Sequence, residues 1–447
     1  MTIPDEQRSS LSPRGAKAAV ALPRPDLDVF HEAQRNLFDA VDNPDGVILL
    51  NVAENSLGWS DIKSKIEAIT AQQTLPDWVA RYTDSHGHPE VLKAVSSFMT
   101  KHLTGCEVDP SRLVLTAGAM SAMNISAQLL GEPDDVVAIP SPSYPVYTHD
   151  VGAIAGLARY NVVTHHEIDD IGDGPLLTTS HLDAALEDIE SRGKRLRVVI
   201  LTTPDNPTGG MLDRNTLEEV AEWCDQHRIH LIVNEIYGLS LIDTDHPELV
   251  GDYPTHPEFV SFAQILSDRA SDYLHYSYAL SKDFGLSGFR FGLIYSLNDD
   301  FIRASGLLNT FSMTSNLTQW VMQKLLEDDA FVSSFISQNK ANLTAAYADV
   351  VRTLRRCGVP YVPSRGGLFV WADFSEFLES DTAQGAHDLW MRIYQGANVL
   401  LTPGEGFGHT KHGLLRIVYP GTAPDSLKLA LKRLEDFITA ERAVPVG

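Results

Sequence analysis

A chain of 447 residues, 43% of them hydrophobic, can bury a large core, and its length predicts two or three domains. The 35 Lys and Arg are outnumbered by 59 Asp and Glu, and the formal net charge of -24 repels nucleic-acid backbones and anionic membranes, so neither is expected as a partner. Three scattered cysteines show neither disulfide-framework nor metal-ligand spacing, and no apolar stretch approaches the roughly 18 residues of a membrane helix. We therefore expect a soluble, cytoplasmic protein without a bound metal.

The N-terminal part of the chain contains two polar segments at possible element ends. Residues 46–55 predict a short apolar strand that ends in Glu54 and Asn55, which either line a site or form a turn. Residues 81–90 predict a loop that leads into a helix over about residues 90–102. The loop holds two His and one Asp, but no further ligand cluster supports a metal site there.

From residue 113 the sequence alternates between short apolar strands and helices. The predicted strands cover residues 113–115, 136–139, 198–201 and 231–233, with helices from about residue 119 and over about 214–227. Small or polar residues follow each strand, namely Ser121 at the start of an Ala-rich helix, Tyr144 before a proline, Asn206 among prolines, and Asn234 with Tyr237. In a doubly wound sheet these carboxyl ends form the ligand-binding edge.

Two of these residues also have ordinary structural interpretations. The free N–H groups at the helix start near Ser121 would suit a phosphate, but serine is common at helix starts in general. Tyr144 is either a stiff platform for stacking on a ring or a packing residue.

Residues 275–292 form an aromatic and small-residue run that contains Lys282 and, eight positions later, Arg290. A lysine among apolar neighbours loses hydration of its ammonium form, which lowers its pKa and makes the amine nucleophilic enough for a Schiff base. The guanidinium of Arg290 could then hold a phosphate. The alternative is a surface loop with a solvated lysine and a structural arginine.

After residue 300 the pattern changes to longer helices and separate strands. Helices are expected over 318–326, 331–357 and about 423–439, and strands over 368–371, 399–404 and 414–418. We predict an α/β protein whose sheet-containing large domain is joined to a smaller α+β domain, to which the N-terminal segment adds.

Several motifs along the chain together resemble one enzyme superfamily. They are Ala53-Glu54-Asn55, Tyr144-Pro145, Asn206-Pro207-Thr208-Gly209, Glu235-Ile236-Tyr237, Ser281-Lys282-Asp283 with Gly288-Phe289-Arg290, Gly366-Gly367 before Trp371, and Thr402-Pro403-Gly404 before Arg416. Over about residues 46–437 the chain resembles fold-type I pyridoxal-phosphate enzymes of the class I/II aminotransferase superfamily, and within it the 1-aminocyclopropane-1-carboxylate synthase-like branch.

The resemblance implies a three-layer large domain with a mostly parallel sheet over residues 76–325. It also implies a small domain over 326–447 and an N-terminal arm with part of the small domain over 1–75. A homodimer with shared active sites is implied as well. The loop 83–88 has no evident partner in its own chain, which suits a role across such an interface.

The resemblance also implies roles for individual residues. Lys282 forms the Schiff base and moves the substrate's α-proton, with Tyr237 as the second catalytic residue. The implied cofactor-binding residues are Ser121, Tyr144, Asn206, Asn234, Tyr237, Ser281, Lys282 and Arg290, and the implied substrate-binding residues are Glu54, Ser85 and Arg416. Pyridoxal 5'-phosphate is the implied cofactor.

Three positions depart from the family pattern. Asn234 stands where the family has an Asp that keeps the pyridine nitrogen protonated, Ser85 where it has a Tyr, and Ala279 where it has a phosphate-binding Ser. A neutral amide can hydrogen-bond the ring nitrogen but supplies no charge, so Asn234 predicts a largely unprotonated ring.

We expect a pyridoxal-phosphate-dependent lyase or transferase acting on an α-amino acid. The favoured substrates are S-adenosylmethionine or a sulfur-linked amino acid, with α-deprotonation followed by β/γ-elimination or replacement. The alternatives are an aminotransferase that produces a 2-oxo acid and a catalytically degenerate homologue.

Overall fold

The computed structural model describes residues 10–20, 26–164, 177–253 and 258–443. The described strands are β1 Ile48–Leu49, β2 Leu113–Thr116, β3 Val136–Ser141, β4 Ala158–Val163, β5 Leu196–Thr202, β6 His230–Asn234, β7 Leu274–Ala279, β8 Gly292–Ser296, β9 Tyr361–Val362, β10 Phe369–Asp373, β11 Val399–Leu400, β12 Thr402–Pro403 and β13 Leu414–Val418. The described α-helices are α1 Pro13–Val20, α2 Leu27–Ala33, α3 Trp59–Gln72, α4 Pro89–Phe98, α5 Ala119–Leu130, α6 Tyr147–Gly152, α7 Thr179–Ser191, α8 Arg214–His227, α9 Phe262–Asp268, α10 Leu280–Asp283, α11 Asp299–Asn309, α12 Asn316–Leu326, α13 Asp329–Arg356, α14 Ala383–Ala397 and α15 Pro424–Ala443.

Seven strands form the main sheet in the order β2-β8-β7-β6-β5-β3-β4. The pairs from β7 through β6, β5 and β3 to β4 are parallel, and β8 runs antiparallel to both β7 and β2. Along β5, Val199 and Leu201 enter one apolar core while Val198 and Ile200 enter another. A sheet that is buried on both faces requires helices on both sides, so the predicted three-layer α/β fold is confirmed.

A four-stranded antiparallel sheet in the order β12-β13-β10-β9 lies in a further apolar core. β1 pairs with β11 as a separate parallel ribbon, through Ile48 with Val399 and Leu49 with Leu400. This core contains residues from the 33–53 segment together with residues after 343. The N-terminal segment therefore packs with the C-terminal part of the chain. The three domain boundaries given above remain predictions.

Local capping residues explain why the ends of some helices could be predicted from the sequence. Helix α8 begins after Asp213, whose carboxylate accepts the Thr216 N–H at 2.7 Å, and it ends at Arg228, which adopts φ +55. Such a polar N-cap satisfies a backbone donor that has no partner within the helix. The helix predicted over 214–227 is observed over those residues.

Other bounds differ from the prediction. The helix expected over 90–102 is α-helical only to Phe98 and continues as a π-helix over Met99–Thr104, which Gly105 ends at φ +66. The strand expected over 46–55 is only two residues long, because β1 pairs only along the two-residue β11. Within the described ranges, no helix is both long and apolar enough to cross a membrane.

Candidate active site

A cavity of about 190 Å³ lies at the carboxyl edge of the main sheet and extends to the four-stranded sheet. The predicted site residues that line it are Tyr144, Asn206, Asn234, Tyr237, Ser281, Lys282, Arg290 and Arg416. Three of them are cationic in a chain of net charge -24. The cavity therefore concentrates positive charge where an anionic ligand would bind.

Lys282 enters the cavity directly after β7, on the short helix α10. Its Nζ donates a hydrogen bond to the carbonyl oxygen of Ala53 at 2.5 Å. The next residue, Asp283, accepts hydrogen bonds from the Leu239 N–H, the Ser240 hydroxyl and the Tyr278 hydroxyl. Burial raises the pKa of Asp283 to about 7. These bonds fix the backbone that carries the lysine.

Arg290 and the start of α5 form an anion cradle at one end of the cavity. The guanidinium Nη1 of Arg290 donates to the carbonyl of Ser287 at 2.9 Å. Gly118 caps α5 at φ +86, and a Cβ there would lie 2.6 Å from Nη2 of Arg290. A glycine is therefore required for the guanidinium to lie against the helix start, where free N–H groups attract anions. The Ser121 hydroxyl lies one turn in and donates to Ala117 O at 3.3 Å, and Ser121 is not among the lining residues.

Tyr237, Asn206 and Arg416 form a connected polar wall. The Asn206 amide donates to the Tyr237 hydroxyl at 3.3 Å and accepts from Nη1 of Arg416 at 2.8 Å. The Arg416 guanidinium lies 5.2 Å from the ring centroids of both Phe369 and Phe407. Burial raises the pKa of Tyr237, so its hydroxyl is protonated at neutral pH and can donate to a ligand oxygen. The arginine is held in a fixed orientation suited to a carboxylate.

Asn234 belongs to a second wall, which includes a residue that the sequence reasoning missed. Its Nδ2 donates to the Tyr147 hydroxyl at 2.9 Å, and its Oδ1 accepts the Ile236 N–H at 3.2 Å. The Tyr147 hydroxyl is also 2.7 Å from Oγ1 of Thr202. The ring of Tyr147 meets that of Tyr144 edge to face, with centroids 5.5 Å apart. The three-residue spacing between Tyr144 and Tyr147 could have indicated that both side chains lie on the same side of a helical turn.

Asp150 is another lining residue that the sequence analysis did not predict, and it contributes the only carboxylate among the residues that line the described cavity. Its side chain is 4% exposed, and Oδ1 has no hydrogen-bond partner. Burial raises the pKa of this carboxyl group to about 7. Asp150 follows the exposed residues Thr148 and His149, and its acidic side chain gave no sign of burial in the sequence.

Glu54 and Ser85, predicted to bind substrate, are not among the lining residues. Glu54 is exposed beside the lining residue Ala53. The Ser85 carbonyl accepts from Nδ2 of Asn309 at 2.6 Å. Their roles as substrate ligands remain predictions.

The loop 83–88 contacts other parts of its own chain, so the prediction that it has no evident partner there is wrong. The Thr83 hydroxyl donates to Asn316 Oδ1 at 2.9 Å, and the His86 ring contacts Asp84 at 2.8 Å and the Ile302 carbonyl at 3.2 Å. Asn316 and Ile302 are distant in sequence from the loop, so the local pattern did not reveal them. No cluster of three potential metal ligands occurs in the parts of the chain that the structure describes.

Comparison with known proteins places this geometry in a family. A family model described as aminotransferase class I and II matches residues 45–434. The chain belongs to that family. It is 31% identical to 1-aminocyclopropane-1-carboxylate synthase 1 of Prunus mume over 424 residues, which are 93% of this chain and 83% of that protein. It is also 31% identical to synthase 2 of Oryza sativa subsp. japonica, over 92% of this chain and 84% of that one.

Solved structures of aminotransferases share the fold of this family member. Aspartate aminotransferase from Thermus thermophilus with maleate superposes with a TM-score of 0.76 at 20% identity, covering 96% of this chain and 100% of that one. An archaeal alanine:glyoxylate aminotransferase gives 0.79 at 16% identity, covering 96% and 98%. At these identities the likeness concerns the fold.

The chain is thus a pyridoxal-phosphate-dependent enzyme. The residues present fit that cofactor, because the cavity joins an anion cradle at Gly118 and Arg290 to a lysine amine at Lys282. The protonated Tyr237 hydroxyl adds a hydrogen-bond donor to the same cavity.

Proposed function

We propose that this enzyme removes the α-proton of an α-amino acid and then catalyses elimination or replacement at the β or γ carbon. S-adenosylmethionine is the favoured substrate, and a sulfur-linked amino acid cleaved by β-elimination is the second choice. The observation that carries the proposal is the single cavity that contains Lys282, Arg290 and Arg416. The choice of elimination rests on the similarity to 1-aminocyclopropane-1-carboxylate synthases.

Each of these residues has a definable task. Bound pyridoxal phosphate supplies an imine-forming aldehyde and a ring that absorbs the electrons of the broken C–H bond. Arg290 and the N-terminus of α5 bind the phosphate, and the Tyr237 hydroxyl donates to the phenolic oxygen. Arg416 grips the substrate carboxylate with its planar fork and so orients the α-carbon. Lys282 Nζ accepts the α-proton and can return it at a neighbouring atom.

Transamination to a 2-oxo acid is the competing reaction, because it uses the same proton transfer. The match to the family model for aminotransferase class I and II supports transamination as the second candidate reaction. The two reactions differ in what becomes of the substrate after deprotonation: elimination expels a leaving group from its side chain, whereas transamination leaves it as a 2-oxo acid. A degenerate homologue would not need this converged lysine and arginine set.

Product analysis of the loaded enzyme tests the proposal. We expect S-adenosylmethionine to release its sulfur leaving group, while plain amino acids with 2-oxo acids give little exchange. Lys282→Ala should abolish both reactions and the borohydride-sensitive yellow colour, and the surface variant Lys93→Ala should not. Exchange of amino groups without release of a sulfur product would favour the aminotransferase. Identical spectra for wild type and Lys282→Ala after cofactor addition would refute the Schiff-base lysine.

We further propose that the enzyme is a homodimer that shares its active sites. Apolar side chains are exposed around the Ser85 loop, with Tyr82 fully exposed and Phe311 and Leu307 at 89% and 70%. Asn309 ties this loop to α11, so these residues belong to one surface. Exposed apolar patches of this kind mark interfaces. Light scattering should give twice the mass of one 49.2 kDa chain, and Phe311→Glu should give monomers. A monomeric wild type with cofactor and activity would overturn this proposal.

A further inference from the structure

Both ends of the Asn234 amide group form a hydrogen bond with the surrounding protein. The Ile236 N–H fixes the orientation of the amide by donating to Oδ1, and the amide nitrogen donates to the Tyr147 hydroxyl. Asn234 is also neutral, so it supplies no negative charge at the position where relatives use an aspartate. If the cavity contains a counter-charge for the ring nitrogen, another residue must supply it.

Asp150 is placed to supply that charge. It follows Tyr147 by three residues on α6, and positions three apart lie on the same face of a helix. Both residues line the cavity together with Asn234. The Asp150 carbonyl accepts from Nδ2 of Asn124 at 3.1 Å, which ties α6 to α5 and holds the carboxylate in this wall.

The state of the Asp150 side chain points to a ligand. A carboxylate that is 4% exposed and has an unpaired oxygen costs free energy unless a cation or donor reaches it. In the same cavity, Lys282 Nζ donates to the carbonyl of Ala53 and Arg290 Nη1 donates to the carbonyl of Ser287. A protonated ring nitrogen in this cavity would provide both the charge and the N–H group that Oδ1 lacks.

We propose that Asp150 is the acidic partner of the cofactor's ring nitrogen in this enzyme, in place of residue 234. The carboxylate stabilises the protonated ring, and the ring retains its capacity to absorb electrons from the α-carbon. This proposal replaces the unprotonated ring expected from Asn234 alone. It rests on the proposed function only through the bound pyridoxal phosphate, since it applies equally to elimination and transamination.

The protonation state of the ring can be measured directly by nitrogen NMR of enzyme reconstituted with pyridoxal phosphate carrying 15N in the ring. We expect a protonated-ring signal in the wild type near neutral pH. In Asp150→Asn the signal should move to the unprotonated position, and the dissociation constant for the cofactor should rise about tenfold, as expected for about one pK unit of differential interaction. Asp134→Asn makes the same change at an exposed carboxylate and should behave as wild type. The double variant Asp150→Asn/Asn234→Asp should recover the protonated signal.

Three outcomes separate this proposal from the proposed function. An unprotonated wild-type signal between pH 6 and 8 would overturn the role of Asp150 without any variant. A protonated signal that persists in folded Asp150→Asn would also overturn it. Wild-type protein that forms no borohydride-sensitive adduct through Lys282 would instead defeat the proposed function, whatever Asp150 does.

Discussion

Replacing Asp150 by Asn should change how the stability of the cofactor-free protein depends on pH. Burial raises the pKa of the Asp150 carboxyl from 3.8 to about 7. The folded state therefore binds a proton that the unfolded state has released, and wild-type stability falls as the pH rises from about 4 to about 7. Asparagine cannot ionise, so the variant lacks this loss.

The magnitude follows from linkage. Each pK unit corresponds to about 1.36 kcal/mol of free energy. The interval from pH 5 to the folded-state pKa of Asp150, about 7, spans about two such units. Going from pH 5 to pH 8, the variant should gain about 2–3 kcal/mol of unfolding free energy relative to wild type. An unpaired buried amide has its own cost of about 1–3 kcal/mol, but that cost is independent of pH and cancels in the comparison.

Denaturant unfolding of both cofactor-free proteins at pH 5 and pH 8 provides the measurement. Other buried carboxyls, such as Glu235 and Asp283, are present in both proteins and cancel in the difference. Tyr147, on the same helix, and Lys282, Arg290 and Arg416 across the cavity are also unchanged. A variant-minus-wild-type difference that stays constant between the two pH values would refute the unpaired buried carboxylate.

Three further substitutions test the cavity. Gly118→Ala places a Cβ 2.6 Å from the Arg290 guanidinium at φ +86, so cofactor affinity should fall by about tenfold or more in a fluorescence titration, and unchanged affinity would contradict the cradle. Arg416→Lys loses the planar guanidinium that can bind a carboxylate through two hydrogen bonds, so KM for the amino acid should rise about 10–100-fold with a smaller change in kcat. A change in kcat alone would argue against a role of Arg416 in carboxylate binding. Tyr237→Phe removes a protonated donor beside Asn206, so the pKa of the cofactor imine, read from absorbance against pH, should rise by about one unit; an unchanged pKa would exclude that contact.

The sequence predicted the residues at strand ends because parallel strands bring their carboxyl ends to one edge. Asn206 and Asn234 were found in this way, although 28 positions separate them along the sequence, whereas Lys282 was found from the aromatic run over 275–292. Tyr147 and Asp150 were missed because α6 has only six residues and shows no apolar period. Burial of a carboxylate depends on elements that pack over it, which a local pattern does not contain.

The prediction for the loop 83–88 was wrong for a related reason. Its partners, Asn316 and the Ile302 carbonyl, are 233 and 216 residues away from Thr83 and His86. Hydrogen bonds across such separations depend on tertiary packing. A polar loop that is bonded to the rest of its own chain therefore has the same kind of local sequence as a polar loop that is not. The domain boundaries, the dimer and the cytoplasmic location remain predictions.

The pairing of β1 with β11 has a consequence for synthesis on the ribosome. Arg416 Nη2 bonds the carbonyl of Asn51, 365 residues earlier, and β1 has β11 as its strand partner. At about 5–20 residues per second, the N-terminal apolar segment waits roughly 20–70 s for these partners to be made. Until then Ile48 and Leu49 lack their strand partner and form an aggregation-prone edge. Nascent chains that stop before β11 should therefore depend on chaperones, while the main sheet, complete at β8, can already fold.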